Sequence, residues 1–166
     1  MRICDGYGYL AGYNPIVFGT LVVDLRDPTN IKSVTFLPAR AGTKGTYLRV
    51  SCARKVLAVD FSGEQPNDLT GARPVASNPN KAPPGETLRS GVTFYDIGDP
   101  TNPKVLNEWV NAGGLTHGME MDDSNVYVCG TSEQSKKEIQ VEELHIINYD
   151  QPRKPEEIAR CHIQGQ

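Results

Sequence analysis

Three apolar runs in this chain each close in a short aspartate-proline type turn: Val22-Val23-Asp24-Leu25-Arg26-Asp27-Pro28, Phe94-Tyr95-Asp96-Ile97-Gly98-Asp99-Pro100 and Ile146-Ile147-Asn148-Tyr149-Asp150-Gln151-Pro152. An internal repeat constrains architecture more tightly than any local propensity, because units that cannot bury their own faces must stack on one another. Each run is preceded by a second one closing in a small residue: Tyr9-Leu10-Ala11-Gly12, Leu57-Ala58-Val59-Asp60 and Tyr127-Val128-Cys129-Gly130. Pro28 and Leu57 lie 29 positions apart and Pro100 and Tyr127 lie 27 apart, so this half of the unit is framework. The other half accepts insertions, since Tyr9 to Pro28 is 19 positions, Leu57 to Pro100 is 43 and Tyr127 to Pro152 is 25.

The residue types explain the repeat. Val22, Phe94 and Ile146 share one face of their strands and Val23, Tyr95 and Ile147 the other, and a strand apolar on both faces must be covered on both. Asp24, Asp27, Asp96 and Asp99 can accept hydrogen bonds from backbone donors just ahead of them, while Pro28, Pro100 and Pro152 fix the angle that begins a tight turn. Asn148 can make the same local bond; Gln151 is too long for it, so the third turn is expected to be less well tied. Further strands follow each turn, at Ser33 to Leu37, Lys104 to Trp109 and Glu156 to Cys161, then at Tyr47 to Cys52 and Leu115 to Met121. Four antiparallel strands per unit, each unit covered by its neighbours, is the blade arrangement of a β-propeller.

The segments Asp24-Leu25-Arg26-Asp27-Pro28-Thr29-Asn30 and Asp96-Ile97-Gly98-Asp99-Pro100-Thr101-Asn102-Pro103, with Leu21-Val22-Val23 and Val92-Thr93-Phe94-Tyr95 before them, resemble the LVIVD repeat, which builds bacterial β-propellers. The resemblance covers most of the chain outside residues 62 to 90 and about 131 to 142. It implies a fold, all-β, and carries almost no information about activity, because fold similarity does not fix function. It also implies a protein that is often exported, although the N-terminus lacks the charged and apolar stretch of a secretory signal.

The expectation is therefore a single partial propeller of about three four-stranded antiparallel blades, around 13–61, 91–130 and 143–166, with an insertion loop at 62–90. Closed propellers use about four to eight blades. Terminal blades would each expose an apolar face, so the expected partners are further propeller blades or a second copy of the chain. A net charge of -3 with no long run of one sign shows no nucleic-acid footprint. No stretch approaches the length needed to span a bilayer as a helix.

Chemistry-bearing residues are few. Cys4, Cys52, Cys129 and Cys161 show no metal or redox spacing. Cys52 and Cys129 fall in columns occupied by Met121 and Val59 and read as buried thiols. The proline- and glycine-rich 62–90 loop would project from one end of the ring, where Arg73 and Arg89 could anchor an acidic ligand. His117 is the best single candidate for chemistry, at the entry to a strand expected to line the central channel; alternation would place Glu120 on the opposite face unless a bulge intervenes. A hydrogen-bonded role for His117 is favoured over metal binding, which needs three or four convergent ligands. His145 reads as a packed edge residue, and His162 has no evident partner. No cofactor is implied, and neither a nucleophile elbow nor a phosphate loop is present.

Two functions follow as expectations. The first is a non-enzymatic module whose end loops bind a protein or a glycan. The alternative is a metal-binding or enzymatic propeller in which His117 acts with a channel acid and residues from other blades.

Overall fold

The computed structural model describes residues 1–14, 17–40, 43–45, 47–63, 90–111, 115–131 and 142–163. All regular structure among them is strand: β1 (Arg2–Cys4), β2 (Tyr7–Asn14), β3 (Val17–Asp24), β4 (Lys32–Pro38), β5 (Thr43–Lys44), β6 (Leu48–Ser51), β7 (Val56–Gly63), β8 (Ser90–Asp96), β9 (Lys104–Asn111), β10 (Thr116–Met121), β11 (Asn125–Thr131), β12 (Glu142–Asn148) and β13 (Glu156–Ile163). Three antiparallel sheets result, ordered β1-β2-β3-β4, β5-β7-β8-β9 and β10-β11-β12-β13. In the middle sheet β5 and β6 share one edge of β7, against Gly63–Ser62 and Val59–Val56 respectively. The chain is all-β and forms a partial propeller of three blades that do not close into a ring.

The repeat recognised in the sequence is out of phase with these sheets. Each sheet begins with the strand that the repeat placed third, so the hydrogen-bonded units are 2–38, 43–111 and 116–163. The second unit is also shifted by one residue against the sequence alignment. Tyr9 pairs with Val22, Ala58 with Phe94 and Tyr127 with Ile146, which makes Ala58, not Leu57, the equivalent of the two tyrosines. A slip of one position exchanges the two faces of a strand. That exchange decides where Cys129 lies, as described below.

Two seams hold the sheets together. At the first, Cys4, Tyr7, Tyr9 and Val22 of sheet one meet Leu48, Leu57 and Ile97 of sheet two. At the second, Val56, Ala58, Val92, Phe94 and Trp109 of sheet two meet Met119, Val126, Val128, Ile147 and Tyr149 of sheet three. Each blade thus offers a front face, carrying Val22 or Phe94, to the back face of the next, carrying Tyr95 or Ile147. Ile146 belongs to the front of the last sheet and is only half-buried, whereas Ile147 on its back is buried. Burying each large apolar side chain contributes roughly 1.5–3 kcal/mol, so the seams dominate the stability of an arc this size.

The turns repeat with the same bonding. Asp24 Oδ1 accepts the Arg26 amide at 3.0 Å and Asp96 Oδ1 accepts Gly98 at 2.8 Å. Asp27 Oδ1 accepts from the Thr29 amide and hydroxyl at 3.0 and 2.7 Å, and Asp99 does the same with Thr101 at 2.9 and 2.6 Å. In the third turn Asn148 Oδ1 accepts the Asp150 amide at 3.2 Å. Just past each strand, Leu25, Ile97 and Tyr149 donate their amides to Gly6, Lys55 and Ser124 at 2.8, 2.8 and 2.9 Å, tying the turn to the neighbouring hairpin of its own sheet.

Cysteine placement departs from the sequence reading. Cys4 and Cys52 are joined as a disulfide across the first seam, with Cα atoms 5.5 Å apart, inside the normal span of such a bond. Cys52 lies just past β6, in the loop that faces β1, so it meets another cysteine instead of packing as a thiol. Cys129 is free and exposed, because the corrected register turns it to the uncovered front of sheet three; Cys161 is likewise free and exposed.

Two outcomes check these assignments. Asp99→Ala should lower the urea midpoint of unfolding, because the Thr101 amide and hydroxyl lose their acceptor, and Gln151→Asp should raise it by a smaller amount. Thiol titration of the denatured chain should find two reactive groups without reductant and four with it, and reduction should cost about 2–4 kcal/mol of stability.

Candidate functional site

The turn ends of sheets two and three enclose an open cleft of about 400 Å³. Its rim is built from the loop between β6 and β7, which supplies Arg54 and Lys55, and from the turn after β12, which supplies Gln151, Pro152 and Arg153. Asp96 closes the far side, and Val56 and Leu106 form the apolar floor. Lys55 takes up a positive φ of 55°, which bends the loop back so that its carbonyl receives the Ile97 amide. Arg54 donates to Asp150 Oδ1 at 2.6 Å and to the Asp150 carbonyl at 3.2 Å, with its guanidinium 5.4 Å from the centre of the Tyr149 ring. Asp150 is held below the usual carboxylate range, first by Asn148, then by Ser124, with Arg54 adding to it.

Lys55 is ion-paired with Asp5 of sheet one. Arg153 is exposed, and its guanidinium makes no ion pair among the described residues. The cleft therefore has three cationic side chains around one aspartate, with one guanidinium available to a ligand. A volume in the range of 300–1,000 Å³ with an apolar floor and few charged groups suits a small ligand or a side chain of a partner.

A second group of charges lies at the inner edges of the sheets. Arg2, Arg49 and Glu120 occupy the same register position on β1, β6 and β10, opposite Tyr9, Ala58 and Tyr127. Arg49 Nε donates to Glu120 Oε2 at 2.8 Å and its Nη2 to Oε1, while Arg2 Nη2 lies 4.0 Å away. Glu120 is consequently held below its ordinary pKa by the Arg49 hydrogen bond. His117 lies on β10, but its side chain is outside the described residues. The strand register shifts between Thr116 and Met119, where Gly118 takes a φ of +105°. Glu120 spends its two oxygens on Arg49.

The third group sits in the second seam. His145 is wholly buried, with Nε2 3.3 Å from Glu143 Oε2 and Nδ1 3.4 Å from Glu157 Oε1, polar contacts that are not well-aligned hydrogen bonds. Its ring meets Trp109 at 5.0 Å, and Trp109 Nε1 donates to Glu157 Oε2 at 3.2 Å. Contrary to the sequence reading, β12 is an inner strand of its sheet and not an edge, and His162 has a partner, Glu143 Oε1 at 2.9 Å. Burial of Glu157 pushes its pKa up, and the Arg160 and His145 contacts more than offset this, so it ends low. The enclosed imidazole is shut off from any substrate, and the cluster works as a polar latch between sheets two and three. Its signal was in the sequence: Glu143-x-His145 and Arg160-x-His162 are residues two apart on paired strands, which places them on one face.

Arg73 and Arg89 lie outside the described residues, as does the stretch 64–89. Asp24, Asp27 and Pro28 sit at the turn of sheet one, Asp99 and Pro100 at that of sheet two and Asn148 at that of sheet three, while Asp96 and Pro152 line the cleft. No His, Cys, Asp or Glu cluster of metal-binding geometry and no helix long and apolar enough to cross a membrane occurs among the described residues. No protein-family model and no curated protein matches the chain.

The latch is testable through acid unfolding. Glu157, with its folded pKa lowered, contributes stability that is present above its unfolded pKa and is lost as pH falls through the lower folded value. Arg160→Ala removes the hydrogen bond that does most to offset the burial of the Glu157 carboxylate, so the acid transition followed by the fluorescence of the single tryptophan should move to higher pH.

Proposed function

We propose that this chain is a non-enzymatic interaction module, a propeller segment of LVIVD type that binds an acidic peptide segment of a partner protein at the turn-end cleft. The observation that carries this is the Arg153 guanidinium, without an ion pair among the described residues, beside an apolar floor in a cleft of about 400 Å³. A carboxylate in that position gains a charge-assisted, bidentate bond to a planar donor, while Val56 and Leu106 accept an adjacent apolar side chain. The type assignment rests on the two segments beginning at Asp24 and Asp96. A disulfide between Cys4 and Cys52 fits an oxidising compartment, where such bonds persist. The metal-binding alternative through His117 requires Glu120 to leave Arg49, and so draws less support from the geometry than the cleft does.

Titration of the isotopically labelled chain with a short Glu- and Leu-containing peptide should shift the amide signals of Arg54, Gln151 and Arg153. Arg153→Glu should weaken binding at least tenfold, which corresponds to about 1.4 kcal/mol. Shifts confined to residues outside the cleft would overturn the assignment. A uronic-acid oligosaccharide that binds the cleft more tightly than the peptide would transfer it to glycans.

A further inference from the structure

The turn between β6 and β7, Cys52-Ala53-Arg54-Lys55, touches all three sheets. Cys52 is bonded to Cys4 of sheet one, and Lys55 is ion-paired with Asp5, the residue after Cys4. Arg54 reaches the other way, to Asp150 of sheet three. Arg54 and Lys55 are two of the cations on the cleft rim, and Val56, the next residue, belongs to its floor. The disulfide therefore anchors the very segment from which one side of the cleft is built.

The other ties on this turn are weak. It lies outside the strand ladder, since β6 ends at Ser51 and β7 begins at Val56. The Arg54 amide is 3.4 Å from the Ser51 hydroxyl, and the Lys55–Asp5 pair is open to solvent, where ion pairs add little. Lys55 and Asp5 are the two non-glycine described residues with positive φ, at 55° and 50°. Asp5 precedes Gly6 in a tight hairpin turn that favours such an angle; a lysine has no such preference and keeps it only while its surroundings impose it. Cys4 is buried and Cys52 half-buried, so the Cys52 sulfur is the one a reductant reaches.

We propose that the Cys4–Cys52 bond is a redox-sensitive clamp on the cleft: oxidised, it holds Arg54 and Lys55 at the rim in the binding arrangement; reduced, the turn relaxes and the acidic ligand binds more weakly, because the rim must be ordered again on binding. The reductant is a dithiol. One of its thiolates attacks Cys52 Sγ, the S–S bond breaks, and Cys4 leaves as a thiolate that takes a proton from water. The second thiol of the reductant then attacks the mixed disulfide, forming a cyclic disulfide and releasing Cys52 as a thiol, so two electrons and two protons pass to the protein. Linkage is reciprocal, so a ligand that prefers the oxidised cleft makes the bond harder to reduce by the same factor. The effect on ligand rests on the cleft reading above, whereas release of the turn is measured without any ligand.

The full chain carrying Cys129→Ser and Cys161→Ser, both at exposed positions, confines thiol chemistry to this one bond. Reduction with dithiothreitol should speed hydrogen exchange of the Ile97 amide, whose acceptor is the Lys55 carbonyl, about tenfold. Exchange of the Tyr149 amide, held by Ser124 in sheet three, should not change. Replacing Cys4 and Cys52 together by serine should reproduce the reduced pattern without reductant. The Glu- and Leu-containing peptide should bind the reduced chain about tenfold more weakly, and saturating peptide should make the reduction potential more negative by the same factor, about 30 mV for a two-electron couple. Ile97 exchange that is equal in both forms, or peptide affinity that is equal in both, overturns the proposal. So does loss of the β-sheet circular dichroism on reduction, because the bond would then hold the whole fold and not one turn. A peptide that binds neither form removes the cleft reading, and the clamp then stands or falls on the exchange of Ile97.

Discussion

Every structural feature of this protein depends on one constraint: its sheets are apolar on both faces, so each must be covered twice. A hairpin or a single four-stranded sheet with this pattern has no stable form alone in water. Stacking solves the problem for Phe94 and Ile147 at one seam and for Val22 and Leu57 at the other. The polar parts of the chain are arranged around that solution. Asp24, Asp27, Asp96 and Asp99 hold the turns at the rim, and the Cys4–Cys52 bond and the His145 latch fasten one seam each.

The latch and the apolar seam act on different aspects of stability. Burying ionisable groups such as Glu143 and His145 is costly, and replacing them by well-packed apolar residues is often neutral or favourable. Their value lies in position, because Trp109 of sheet two and Glu157 of sheet three meet in one hydrogen bond that a sheet shifted by one residue cannot make. That hydrogen bond ties the register of sheet three to that of sheet two, whereas both His145 nitrogens and Glu143 Oε2 have no hydrogen-bond partner among the described residues.

The cleft and the uncovered sheet faces occupy different parts of the same scaffold. The cleft forms where two turn ends approach at the second seam, and its shape follows from how Val56 and Leu106 pack there. The open faces lie across the flanks, and the Arg2, Arg49 and Glu120 column lies along the inner edges. A propeller lends itself to this separation because strands carry the packing while turns are free to vary.

Much was legible in the order of residues alone. Alternating apolar runs, Asp and Pro at fixed offsets and the near-constant spacing after each proline set the strands, the turns and their stacking as blades, because side-chain period and turn chemistry are local properties. Face assignment was not legible where the repeat offered two alignments: Leu57 or Ala58 as the partner of Tyr9 differ by one residue, and only hydrogen bonding between β7 and β8 chose Ala58. The same choice sent Cys129 outward. Long-range pairings had no local signature at all. Cys4 meets Cys52 across 48 positions, Arg49 reaches Glu120 across 71, and the cleft gathers Arg54, Leu106 and Arg153 from three separate turns and strands. Sequence therefore determined what each strand is and that its faces need cover; tertiary structure decided which residues share a seam, because the distance between them is set by how whole sheets stack and not by anything within a sheet.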